Sequence, residues 1–332
     1  MDGKSVRLLI VALAVSLVVG GSLAVSDARA EFPEGPIRML VAFTPGGSMD
    51  ISVRAISAAA EKQLGKPIVI ENKGGGGGTV ALGVLANEKP DGYTLCGATT
   101  SGLIRSPLMQ KVIYKPLKSF TPIIGFAYPQ LAIMVPNESP FKDLKELLDY
   151  AKKNPNKIKY GTTGPGSGQH VQMELLAHQL GINWVHIPYK GSQDAIMALL
   201  GGHIDVASVG PEFVPVKRAN QARVLAVCQS KKSPNFPEIP TIPELGYNVV
   251  DEVVFCIVGP AGMPPQVLQK LEKAFKDAME SQEFKKAVEQ LDLITVYYNN
   301  KDFQKYMEEC WLRTENSLKE TGVIKEAATS PR

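Results

Sequence analysis

Arg38-Met-Leu-Val-Ala-Phe-Thr-Pro-Gly-Gly-Ser-Met-Asp-Ile-Ser-Val-Arg54 reads as a short buried strand that runs directly into the start of a helix. The apolar run ends at Phe43, and Pro45, Gly46 and Gly47 turn the chain. Ser48 is placed to cap the new helix, with Asp50 in its first turn, where a carboxylate suits the helix dipole. Such a junction points unpaired amide groups beyond the strand end, and unpaired amides together with the dipole favour an anion. An ordinary packing turn between strand and helix is the plain alternative. A comparable junction recurs far along the chain, at Lys159-Tyr-Gly-Thr-Thr-Gly-Pro-Gly-Ser-Gly-Gln-His170. Two such loops point to a clamp.

Working outward, Lys4 and Arg7 precede an apolar run from Leu8 to Val19, followed by Ala28-Arg29-Ala30. This is the pattern of a secretory signal peptide over residues 1–30, with cleavage after Ala30 and a mature chain that stays out of the bilayer. A net charge of +3 without basic runs carries no phosphate footprint, so nucleic acid is excluded as a partner. The length suits two domains. Cys96, Cys228, Cys256 and Cys310 lack metal or redox spacing and read as buried free thiols, and no cofactor or metal is expected.

Periodicity predicts a helix from Ile51 to a Gly65 cap, a strand over Pro67–Ile70, and a five-glycine turn into a helix over Val80–Asn87. In that turn Gly76 and Gly77 are read as ligand-facing, against the alternative of a flexible linker. A third strand leads to Thr99, Thr100 and Ser101, whose hydroxyls can bond a bound oxygen. Two apolar runs around Tyr128 and Pro129 suit a segment crossing between domains, and Ser139 is expected to cap the amphipathic helix that follows. The second glycine loop carries Gly164, Gly166, Ser167, Gly168 and His170. Strands then alternate with helices, which argues for parallel sheets, and Val253–Val258 reads as a buried strand returning to the first domain. The chain beyond Pro264 reads as mostly helical.

Two enzyme readings fail on spacing. A Ser167/His170 hydrolase lacks a third group to orient the imidazole, and Gly164-Pro-Gly166-Ser-Gly168 lacks the glycine spacing and the following acidic residue of a dinucleotide fingerprint. Binding an anion through several charge-assisted hydrogen bonds needs no proton transfer.

Phe43-Thr-Pro-Gly-Gly-Ser-Met-Asp50, Glu71-Asn-Lys-Gly74, Pro90-Asp-Gly-Tyr-Thr-Leu95, His186-Ile-Pro-Tyr-Lys-Gly191, Leu200-Gly-Gly-His-Ile-Asp205 and Pro260-Ala-Gly-Met-Pro264 follow in an order that resembles the solute receptors of tripartite tricarboxylate transporters, the Bug family. The resemblance implies an α/β, type II periplasmic-binding-protein fold: two doubly wound lobes around a central cleft, joined by crossing strands. It implies lobe I over 31–129 and 250–332, lobe II over 130–249, and a periplasmic receptor that gives a small organic acid to integral-membrane transporter subunits. Handing the closed form to a signalling partner is the alternative. The carboxylate would be held by amides, hydroxyls and waters over Phe43–Asp50 and Gly164–His170. Tyr189 and Phe43 are candidates to cover its carbon skeleton, with core packing as the equal alternative; Lys190 reads as a rim group or a solvated charge, and Gly210 is placed at the site. The chain departs from the family pattern at Asp194, at Gly210-Pro-Glu212, and at Gly102 and Arg105. Arg105 is a candidate partner for a second carboxylate, with a surface position as the alternative.

Overall fold

The computed structural model describes residues 32–229, 232–233, 235–249, 252–320 and 324; the expected leader over 1–30 lies outside them, as does Pro234, the start of the proline-spaced segment to Pro243 whose sequence reads as a surface connection. In chain order the first part comprises β1 (Ile37–Val41), α1 (Ser48–Leu64), β2 (Ile68–Asn72), α2 (Thr79–Leu85), β3 (Thr94–Thr99), α3 (Ser106–Met109) and β4 (Phe120–Tyr128). The middle part comprises β5 (Ala132–Pro136), α4 (Leu144–Lys153), β6 (Lys159–Thr162), α5 (Gly168–Leu180), β7 (Val185–Pro188), α6 (Ser192–Leu200), β8 (Val206–Val209), α7 (Phe213–Arg218) and β9 (Ala222–Val227). The chain then forms β10 (Phe255–Pro260), α8 (Pro265–Ala278), α9 (Gln282–Gln290), β11 (Ile294–Tyr298) and α10 (Asn300–Glu320).

The described strands make two sheets, ordered β11-β4-β10-β3-β1-β2 and β7-β6-β8-β5-β9. Five neighbouring strands of the first sheet repeat the arrangement of the second. β1 lies between parallel partners β2 and β3, as β6 lies between β7 and β8, and the next strand, β10 or β5, runs antiparallel. Each of the two glycine junctions therefore leaves the carboxyl end of a strand flanked on both sides by parallel neighbours. In an open α/β sheet this is where the strand order reverses and a crevice opens. The expectation of parallel sheets is corrected to mixed ones. β10 enters the first sheet from a long connection and pairs antiparallel with both β3 and β4, while β5 does the same between β8 and β9.

Strand alternation explains how one sheet supports two cores. Along β5, Ile133 and Val135 pack with Leu147, Tyr160 and Leu176, whereas Ala132 and Met134 pack with Leu199, Phe213 and Val227 on the other face. In the first sheet, Leu40, Ala98, Cys256 and Val258 pack with Phe303 and Trp311 of α10. All four cysteines are buried, and none is in a disulfide among the described residues. β11 was not anticipated, although its β-branched and aromatic run is strand-like; the surrounding helical periodicity masked it.

The chain passes between sheets at Pro129–Leu131 and again between β9 and β10. Gln229 ties these crossings together, accepting from Leu131 N at 2.9 Å and donating to Pro129 O at 2.7 Å. The predicted cap at Ser139 is corrected as well: Asp143 is the N-cap of α4 and accepts from Glu146 N at 2.8 Å. Glu146 in turn accepts from Lys142 N at 2.7 Å, so the side chains at this helix start satisfy donors on both sides of the cap. Asp143→Ala is expected to lower unfolding free energy by about 1 kcal/mol, read as a shifted urea midpoint with an unchanged slope. No change in the midpoint would mean that water replaces the cap without loss.

Candidate functional site

A cavity of about 40 Å³ lies where the β1–α1 and β6–α5 junctions face each other. Of the expected site residues, Phe43, Gly47, Ser48, Thr99, Ser167 and Gly210 line it. Thr44, Ser101 and Gln169, which lie in stretches the sequence reading assigned to ligand binding, line it too, as do Thr163, Ser192, Glu212 and Phe255, which it did not assign to the site. None of the described lining residues is Lys, Arg or His. Hydroxyls, helix-start amides and one carboxylate therefore make up its polar wall.

The second junction is built as its sequence suggests. Ser167 is the N-cap of α5, its Oγ accepting from His170 N at 3.2 Å, and Gly181 closes the helix in the left-handed region. His170 lies beneath the loop: Nδ1 accepts from Gly166 N at 3.1 Å, and the ring stacks on His186 with centroids 4.1 Å apart. Burial pushes the His170 pKa down to about 4, and burial with the neighbouring His170 does the same for His186. An imidazole whose Nδ1 already accepts a loop amide is poorly placed to serve as a base for Ser167. His170 holds the loop.

The first junction differs from expectation. Gly47, not Ser48, is the N-cap of α1, and no side chain of its own turn caps it. Asp50 lies away from the cavity. It accepts from Gly46 N at 2.8 Å, Arg54 Nε at 2.9 Å and Asn72 Nδ2 at 2.8 Å, which fixes the turn. Burial opposes its ionisation, but Arg54, the Gly46 amide and Asn72 outweigh that and hold the carboxyl below its ordinary pKa. The cap of α1 comes from the other lobe: Ser48 N donates to Glu212 Oε1 at 2.5 Å.

Gly76, Gly77, Gly164 and Gly166 form a seam beside the cavity and are absent from its lining. A methyl group at Gly77 would lie 2.7 Å from Pro165 O, and one at Gly164 would lie 2.8 Å from Gly77 N. Ser106 Oγ and Gln110 Nε2 both donate to Pro165 O at 3.2 Å, and Gln193 Nε2 donates to Gly46 O at 2.8 Å, so the lobes are drawn together on two sides. Gly168 packs near Leu131, Val253 and the Ser101 hydroxyl. Pro45 and Gly46 are exposed, with Gly46 on an outer groove that Glu212 also borders. Tyr189 is half-buried against Gly161, and Lys190 is exposed.

Arg105 and Thr100 take structural positions. Arg105 is only 1% exposed and donates to Thr100 Oγ1 at 3.0 Å and Glu252 O at 2.9 Å, while Thr100 Oγ1 accepts from Val254 N at 3.0 Å. The surface position considered for Arg105 is thereby corrected, and its guanidinium braces the segment entering β10. No helix among the described residues is long and apolar enough to cross a membrane.

A family model described as "Tripartite tricarboxylate transporter family receptor" matches residues 52–323. A UPF0065 protein encoded in the gbd 5′ region of Cupriavidus necator is 34% identical over 313 residues, covering 94% of this chain and 95% of that protein. The solved structure of the periplasmic binding protein BugD has a TM-score of 0.83 at 29% identity, covering 89% of this chain and 100% of that one. MatC from Rhodopseudomonas palustris, solved with bound malate, has a TM-score of 0.82 at 26% identity, covering 87% of this chain and 100% of that one. Its two mixed sheets, its paired strand-to-helix junctions and these matches agree: the chain belongs to the tripartite tricarboxylate transporter receptors of the Bug family, which are substrate-binding receptors and not enzymes.

Proposed function

We propose that this receptor is exported, with residues 1–30 removed, and that it captures a small organic carboxylate between lobe I (31–129 and 250–332) and lobe II (130–249). The closed, loaded form is then recognised by integral-membrane subunits of a tripartite tricarboxylate-type transporter in the periplasm. The observation that carries this reading is the meeting of two helix starts, Ser48 of α1 and Ser167 before α5, on the wall of one cavity that both lobes line. Malate bound to MatC supports the ligand class. The residues proposed to contact the ligand are Phe43, Gly47, Ser48, Thr99, Ser101, Ser167, Gln169 and Gly210, with the seam glycines Gly77, Gly164 and Gly166 shaping closure.

Chemically this needs no cationic side chain. A carboxylate at a helix start gains charge-assisted hydrogen bonds from backbone amides whose orientation is fixed before binding, so little reorganisation opposes capture. Closing the lobes then excludes water, which strengthens those bonds.

A heat-shift screen against a panel of mono- and dicarboxylates, with and without amino or hydroxyl groups, tests the reading. Stabilisation should grow as RT ln(1 + [L]/Kd), about 2.7 kcal/mol at a hundredfold excess over Kd. A flat response across the panel would refute carboxylate capture. Ser167→Ala removes both a lining hydroxyl and the cap of α5, and is expected to weaken the best ligand about tenfold in a calorimetric titration. Unchanged affinity would take Ser167 out of the site.

A further inference from the structure

Glu212 stands where an anionic ligand would be expected. It comes from the second lobe, just before α7, and its Oε1 accepts the Ser48 amide at the start of α1. The neighbouring glycines leave room for it: a methyl at Gly210 would lie 2.8 Å from Oε2, and one at Gly47 would lie 3.2 Å from Oε1. The first lobe's carboxylate seat is therefore filled by a carboxylate of the chain itself.

The second oxygen of that group faces a different situation. Glu212 Oε2 is buried and has no hydrogen-bond partner among the described residues. Among the described residues no basic side chain lines the cavity to balance the charge. A buried carboxylate oxygen in such a wall is best satisfied by a cationic donor, because a charge-assisted bond there is strong and an unmet acceptor is costly.

The other end of the cavity has the opposite character. Ser101 is 3% exposed, its Oγ has no partner among the described residues, and it lies 3.4 Å from where a Cβ on Gly168, the first residue of α5, would sit. With Ser167 and Gln169 it forms a seat of donors at a helix start, still open to one carboxylate. One end of the cavity thus presents donors and the other presents a fixed negative charge. A plain dicarboxylate would set its second carboxylate against Glu212, and like charges so close oppose one another.

We propose that the ligand is a short monocarboxylate that also carries an ammonium group, its carboxylate at the Ser167–Gln169 turn beside Ser101 and its ammonium on Glu212. This rests on the reading of the cavity as a carboxylate site and narrows it.

The test is calorimetric titration of the receptor lacking residues 1–30 with three length-matched pairs: glycine and malonate, β-alanine and succinate, 4-aminobutanoate and glutarate. The native protein is expected to bind at least one amino acid about tenfold or more tighter than its paired diacid. Glu212→Gln should weaken that amino acid about 10- to 100-fold and bring the paired diacid closer to it or past it. Glu212→Ala, read in the same way, replaces the glutamine variant if melting shows the latter to be unfolded. A native preference for the diacids, or an amino acid affinity that either variant leaves within twofold, overturns the assignment of Glu212 while the carboxylate receptor stands. If no acid of these pairs or of the wider panel binds the native protein or either variant, both readings fall together.

Discussion

Gly166→Ala is expected to weaken ligand binding about 100-fold while both lobes remain folded. Gly166 has φ +72, and a methyl group there would sit well inside 3 Å of the Ser106 backbone, with Ser106 N at 2.8 Å. Ser106 belongs to the first lobe and Gly166 to the second, so the clash falls on the seam that must shut around the cavity. The atoms met are main chain and cannot rotate away. The lobes must part instead, and apparent affinity falls in proportion to the fraction that can still close; a closed fraction near one in a hundred gives the stated loss. The strain of alanine at positive φ adds about 1–2 kcal/mol of its own, which needs a control. Gly181 supplies it, with φ +67 and nothing within 4 Å of an added methyl. Gly181→Ala should lower stability by a similar strain term and leave affinity alone. Calorimetry with the best acid from the screen, together with small-angle scattering of the free and loaded protein, separates the two. If Gly166→Ala binds within threefold of the native protein and still compacts with ligand, the seam does not govern closure.

The same seam marks the limit of what the sequence discloses. Glycine runs at 46–47, 74–78 and 164–168 are visible as turns at strand ends, because only local rules of strand, turn and helix start are involved. Which of them touch the ligand depends on how two lobes meet, and that is a property of contacts distant in sequence. Gly77 and Gly164 therefore looked like ligand contacts, yet they pack on one another across the seam. Asp50 was legible as a first-turn acid, but its partners Asn72 and Arg54 turn it into a brace for the loop. Arg105 carried the opposite lesson. A buried guanidinium is rare enough that sequence favours the surface, and partners distant in the chain, among them the Glu252 carbonyl, together with the Thr100 hydroxyl, make burial tolerable. Glu212 was visible as a departure from the family pattern, though its reach across to Ser48 N could not be read from one chain segment. In the first sheet β10 was legible as a buried strand returning to the first domain, whereas its antiparallel direction and the whole of β11 were hidden, since those pairings are non-local.

Acidification is expected to cost the fold about 2 kcal/mol between pH 8 and pH 5 through His170 alone. In the unfolded chain this histidine takes a proton with a pKa near 6.5, whereas in the folded protein burial defers protonation to about 4. Between those values the unfolded state holds more protons, so stability rises with pH; it is complete above about 6.5 and is lost as pH falls towards 4. His186 has the same sign, with its pKa also near 4, but its greater exposure screens the effect and its contribution is smaller. The geometry explains why the proton is resisted. Nδ1 of His170 accepts the Gly166 amide, His186 stacks on its face at 4.1 Å, and His186 Nε2 is paired with Thr162 Oγ1 at 2.7 Å. A proton on Nδ1 would set two donors against each other and place a charge beneath the loop that carries Ser167. Urea unfolding at pH 8, 6.5 and 5 should therefore show a midpoint that falls with pH. His170→Asn retains an acceptor near Gly166 N and removes the titrating ring, so it should flatten that dependence even where it lowers stability throughout. An equal slope in the variant would assign the acid sensitivity to other groups. Because His170 stays unprotonated in the folded protein until pH nears 4, ligand affinity is expected to hold from pH 8 to pH 5 while the urea midpoint falls, and to decline only as pH approaches 4, where the charge enters beneath a wall of the proposed binding cavity.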